Sequence, residues 1–85
     1  MEQTLTLNDG TVLNNSSAAE NSGGLWIYVN AEIGFQDLFS IMNDHEKTKR
    51  IIAENIEGKK TYRGYKELFY LRKGDNGTVS IALRK

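Results

Sequence analysis

Hydrophobic and polar positions alternate most strictly near the end of the chain. Val79, Ile81 and Leu83 fall on one face, with Thr78, Ser80, Ala82 and Arg84 on the other. A period of two marks a strand buried on one side. The residues before it, from Lys66 to Lys73, read as its partner, and Gly74-Asp75-Asn76-Gly77 joins the two. Asn-Gly supplies the positive φ angles that a tight hairpin needs. A second hairpin is visible at the start. Thr4-Leu5-Thr6-Leu7 alternates, Asn8-Asp9-Gly10 turns, and Thr11-Val12-Leu13 begins the return. Leu5 and Leu7 are expected in the core, because a one-residue slip would put both in water. Asn14-Asn15-Ser16-Ser17 is turn chemistry, Ala18-Ala19 extends the return strand, and Asn21-Ser22-Gly23-Gly24 is a loop.

The middle of the chain changes period. Leu25-Trp26-Ile27-Tyr28-Val29 is apolar on both faces, as in a central strand, and its aliphatic face suits the core. Ile33, Leu38, Ile41 and Met42, with Phe35 and Phe39, recur at spacings of three and four and predict a helix over 33–43. Asn30 is the expected cap, and Glu32 and Asp37 suit the dipole of the first turn. Gly34 weakens that turn, so a start at Phe35 is the alternative. Glu46-Lys47-Thr48 is a polar connection or one extra helical turn. Arg50 to Ile56 fits strand or short helix; the β-branched Ile51 and Ile52 and the turn Glu57-Gly58-Lys59-Lys60 favour strand. Thr61-Tyr62-Arg63-Gly64-Tyr65 is its partner, with a bend or bulge at Gly64. The sum is one α+β domain over 1–85: one helix packed on a mostly antiparallel, curled sheet of five to seven short strands.

Composition narrows the chemistry. The chain has no cysteine and one histidine, which removes disulfides, thiolate metal sites and histidine-rich metal sites. No apolar stretch approaches bilayer length, so no membrane partner is expected and a cytoplasmic protein is. Net charge is zero but unevenly spread. Residues 1–45 carry six acidic groups and no basic one, whereas residues 46–85 carry eleven basic against five acidic, a net of +6. Such asymmetry points to a charged partner, unless strands from the two halves pair and mix the signs.

Few residues suggest a site. His45 between Asp44 and Glu46 lacks the partner and pocket that acid–base work requires. No phosphate loop, nucleophile–base pair or spaced carboxylate pair is present, so no catalytic residue, cofactor site or metal site is expected. Lys59 to Lys66 interleaves basic residues with tyrosines. Lys60 and Arg63 suit phosphates while Tyr62 and Tyr65 suit bases; equally, the tyrosines could pack their rings on the core. Trp26 and Tyr28 share a strand face and suit a protein contact, unless the 14–24 segment covers them.

Five stretches resemble small uncharacterised proteins found near phage and prophage tail genes of Gram-positive gut bacteria. They are Leu5–Ser16, Phe35–Phe39 with Asp44–Thr48, and Tyr62–Leu68 with Thr78–Lys85. The resemblance implies a phage setting, a binding or assembly role, and a host-cytoplasmic or virion-associated location. It transfers no site residue. The resulting expectation is a non-enzymatic protein that contacts itself or another phage or host protein, in tail assembly. Head-to-tail stacking of acidic on basic halves, with main-chain pairing at the first or last strand, is the expected mechanism. A phage-encoded inhibitor of a host protein and a nucleic-acid-binding module using residues 59–73 are the alternatives.

Overall fold

A computed structural model describes residues 2–30 and 34–85. Strands β1 (Gln3–Leu7), β2 (Val12–Asn21) and β3 (Gly24–Asn30) come first, then helices α1 (Phe35–Met42) and α2 (His45–Thr48). Strands β4 (Arg50–Asn55), β5 (Gly58–Arg63), β6 (Glu67–Lys73) and β7 (Thr78–Arg84) follow. All seven strands join one antiparallel sheet in the order β5-β4-β1-β2-β3-β7-β6. The fold is therefore α+β, with two short helices among the described residues where one was expected; α2 is the extra turn.

Both outer hairpins form where the pattern placed them. Gly77 adopts φ +85° in the β6–β7 turn, and the Gly74 N–H closes it by donating to the Thr78 carbonyl at 2.7 Å. Residues 50–55 are strand, paired with β5 across a turn at Ile56-Glu57; Gly58 to Lys60, expected in the turn, open β5 instead. Asn30 does not cap the helix; it ends β3 opposite Thr78. Helix α1 begins at Phe35 after Gly34 with no side-chain cap, and Asp37 lies in its first turn. The expected positions of Glu32 and Ile33 lie outside the described residues.

The sheet edges differ from expectation. Strands β1 and β7 each have two neighbours, so the free edges belong to β5 and β6. The non-local pairings β1–β4 and β3–β7 bury the first and last strands in the middle of the sheet.

Asn14 to Ser17 is not a turn but a bend inside β2. Leu5 opposes Leu13 and Gln3 opposes Ser16, so Asn14 and Asn15 together face Thr4. This is a bulge: one extra residue that bends its strand. Asn15 takes φ +51°, a conformation asparagine tolerates better than most side chains. Buried Ser16 follows, its Oγ 2.9 Å from the Leu13 carbonyl and 3.2 Å from that of Gln3. Beyond Ser16, β2 leaves β1 and pairs with β3 through Asn21. Where β1 is missing, the Gln3 side-chain oxygen accepts from the Ala18 N–H at 3.0 Å.

The bend folds one half of the sheet over the other. Although β5 is three places from β2, the Tyr62 hydroxyl donates to the Ala18 carbonyl at 3.4 Å and Tyr65 donates to the Glu20 carboxylate. Gly64, at φ +82°, turns the corner between the two edge strands; its N–H donates to the Lys49 carbonyl at 3.0 Å. The enclosed core takes Leu5, Leu7, Leu13, Ile27, Ile81 and Leu83 from inward strand faces, with Leu38 and Met42 from α1. Those two helix residues lie four apart, on one face. Full burial of each such side chain stabilises by about 1.5–3 kcal/mol.

Candidate functional site

The outer face of β3, β7 and β6 gathers aromatic side chains. Trp26 and Tyr70 both lie opposite Ala82, one from each side. Their rings lean together over it, with centroids 5.3 Å apart and planes at 54°, and leave Ala82 fully buried on the outward face. Tyr28 lies opposite Ser80, which in turn lies opposite Arg72.

A second bulge makes the cluster possible. Leu68 opposes Leu83 and Tyr70 opposes Ala82, so Phe69 is the extra residue. Leu68 and Leu71 turn in to the core, and Phe69 joins Tyr70 outside. Phe69 reaches across β7 until its ring meets Trp26 edge-on, at 6.1 Å and 83°. A Cβ at Gly24 would lie 3.5 Å from that ring, an ordinary contact distance. Arg84 sits 5.0 Å from the Phe69 centroid and pairs with Glu67 at 3.0 Å. That pairing lowers the Glu67 pKa and raises that of Arg84, the hydrogen bond being the larger cause and charge attraction the next.

Tyr28 and Phe69 remain 43% exposed and Tyr70 36%. At roughly 200 Å² per ring, each leaves about 80 Å² in water. With half-buried Trp26 beside them the patch approaches the lower end of the roughly 300–600 Å² that the largest patch on a monomer covers, and such patches are often functional. Ala19, Asn21, Trp26 and Tyr28 line a recess of about 320 Å³ along its β2 side.

Trp26 and Tyr28 thus lie together on an outward face. The 14–24 segment does not cover them; it pairs alongside, Ala19 opposite Trp26 and Ser17 opposite Tyr28. The residues that lean on Trp26 are Phe69 and Tyr70. Sequence reasoning missed both, though one signal was available. Leu68-Phe69-Tyr70-Leu71 breaks alternation opposite a strand that keeps it, as a bulge would.

The other interaction candidates separate. Tyr62 and Tyr65 are buried, 6% and 3% exposed, so their rings are not available to stack on bases. Lys60 pairs with Glu20 at 3.4 Å and lies over the Tyr62 ring, and Arg63 is exposed opposite Arg50. The Tyr65 hydrogen bond, ahead of attraction by Lys60 and Lys85, lowers the Glu20 pKa. The same bond, aided by burial, raises Tyr65 to about 12.

The two charge blocks are stitched together. Asp9 pairs with Lys47 at 4.0 Å and Glu20 with Lys60, both between halves of the chain. Asp44 caps α2 by accepting from the Glu46 N–H at 3.1 Å. Exposed His45 opens that helix, and Glu46 pairs with Lys49. Among the described residues, no three His, Cys, Asp or Glu side chains converge as metal ligands, and no helix is long and apolar enough to cross a membrane. Comparison with protein-family models, curated proteins and solved structures found no match.

Proposed function

We propose that this is a non-enzymatic protein that binds another protein chain through the aromatic outer face of β3, β7 and β6, in phage tail assembly. The contiguous exposed cluster of Tyr28, Phe69 and Tyr70 around Trp26 carries the reading. Aromatic side chains at the centre with charged groups at the rim (here Glu67, Arg72 and Arg84) match the anatomy of protein interfaces. The phage setting is supported by the resemblance carried by Leu5–Ser16, the helix region, Tyr62–Leu68 and Thr78–Lys85.

Ring geometry favours a protein over a nucleic acid. Trp26 meets its neighbours edge-on and tilted, which makes a ridge for side chains rather than parallel faces for successive bases. With Asp9, Glu20 and Asp44 already engaged, head-to-tail charge stacking is the weaker mechanism.

The test is affinity capture from phage-infected or lysogenic cells with tagged wild type and Phe69→Glu. Proteins retained by wild type and lost by the variant support the reading. The same set in both, or none in either, overturns it. Retention of oligonucleotides, lost with salt and in Lys60→Glu and Arg63→Glu, would replace it with nucleic-acid binding.

A further inference from the structure

The free edge of β6 borders the aromatic face, and its sequence is chemically palindromic. We propose that the bound chain is a second copy of this one, paired antiparallel along β6 about a two-fold axis. The inference rests on the reading above, that the β3–β7–β6 face is a protein contact.

The bulge makes Phe69 and Tyr70 share one place in the ladder. The strand then runs Glu67 out, Leu68 in, Phe69–Tyr70 out, Leu71 in, Arg72 out. A two-fold axis through the bulge sets Glu67 opposite Arg72 of the second copy, and Leu68 opposite its Leu71. The aromatic pair meets its own copy. Directly opposed residues must share a sheet face, and here all of them do. Unlike charges are opposed twice. A shift of one place sets inward against outward residues, and a shift of two breaks both charge pairs. Glu67 uses one oxygen, Oε1, on Arg84, which leaves Oε2 for the second copy.

The other free edge is built differently. Strand β5 carries Lys59, Lys60 and Arg63, the kind of edge that discourages pairing. On β6 the apolar groups lie at the centre of the strand and the charges at its ends. Helix α1 packs beside β6 and exposes Phe35 and Phe39, four residues apart. Two part-exposed rings, Phe69 and Tyr70, lie on this edge strand itself. At about 80 Å² each they offer roughly 160 Å² before the rest of the strand is counted. A standard stable interface buries about 800 Å² per partner, so the dimer is expected to be weak, with dissociation in the micromolar range.

Sedimentation velocity of the full chain from roughly 5 to 500 µM tests this, with far-ultraviolet circular dichroism to verify folding. Wild type should shift from monomer to dimer across the range. Glu67→Arg and Arg72→Glu each oppose like charges twice and should weaken dimerisation at least tenfold. Mixing the two variants restores both charge pairs, and the mixture should dimerise as wild type does. The chain has no cysteine, so Tyr70→Cys is a lone reporter at the axis. It should oxidise to a covalent dimer, while Lys59→Cys on β5 should not. Should Glu67→Arg fail to fold, Arg72→Glu and Tyr70→Cys still decide the matter.

A monomer throughout, single variants that dimerise like wild type, or a mixture that stays monomeric overturns the proposal. If capture still finds a partner that Phe69→Glu loses, the protein-contact reading stands and only the two-fold pairing falls.

Discussion

Replacing Ser16 with alanine tests whether a single hydroxyl holds the bend in β2. Ser16 is 3% exposed, and its Oγ lies 2.9 Å from the Leu13 carbonyl and 3.2 Å from that of Gln3. The substitution removes one oxygen, leaves almost no cavity, and takes away the hydroxyl that faces the Leu13 and Gln3 carbonyls. An unsatisfied buried acceptor costs about 1–3 kcal/mol. For 85 residues, total stability of roughly 4–13 kcal/mol is expected, so the loss is a substantial share. Urea unfolding should show a lower midpoint at constant m-value, and Tm should fall by roughly 5–20 °C. Asn15→Gly, one residue earlier, should change stability by no more than about 1 kcal/mol, since glycine accepts positive φ freely. A Ser16→Ala loss under about 0.5 kcal/mol would refute the assignment of the bend to this hydroxyl.

Leu38→Ala empties the helix side of the core and should cost about 2–5 kcal/mol in urea unfolding. Tyr65→Phe should change the pH dependence of stability. Glu20, with its pKa lowered, contributes stability that is present above its ordinary value and lost as pH falls through the lowered one, so the variant should show a flatter acid limb. At the other end Tyr65, raised to about 12, contributes below about 10 and loses that contribution as pH climbs through 12; the variant lacks that step too. Phe69→Glu, at a 43% exposed position, should stay within about 1 kcal/mol of wild type while it abolishes partner capture.

Local chemistry made much of this fold legible. Strict alternation at 78–84 fixed the β7 faces, Leu5 and Leu7 took the core as expected, and Ile51-Ile52 before Gly58 gave a strand. Asn14-Asn15-Ser16-Ser17 misled because the residues that favour turns also favour bulges; whether the chain reverses or bends depends on what pairs beyond it. Strand order was hidden for a similar reason. Nothing local to β1 or β7 announces β4 or β3 as a neighbour, so the free edges were misplaced. At the site, Trp26 and Tyr28 were readable from one strand, whereas Phe69 required two strands in register. Tyr62 and Tyr65 resembled a base-stacking stripe in one dimension, and curvature turned both inward.

Burial and curvature are written separately in this chain. Inward-facing Leu13 and Ser16 are three residues apart where a regular strand would space them by two, and so are Leu68 and Leu71. In each case the surplus residue leaves the in–out pattern intact on both sides. Deleting Asn15 would preserve every core assignment in β2 yet remove the instruction to curl. Two sequences with the same hydrophobic code would then specify an open sheet and a folded-over one. Phe69 uses the same grammar to another end: its extra place adds a ring to the outer surface without moving a single leucine off the core.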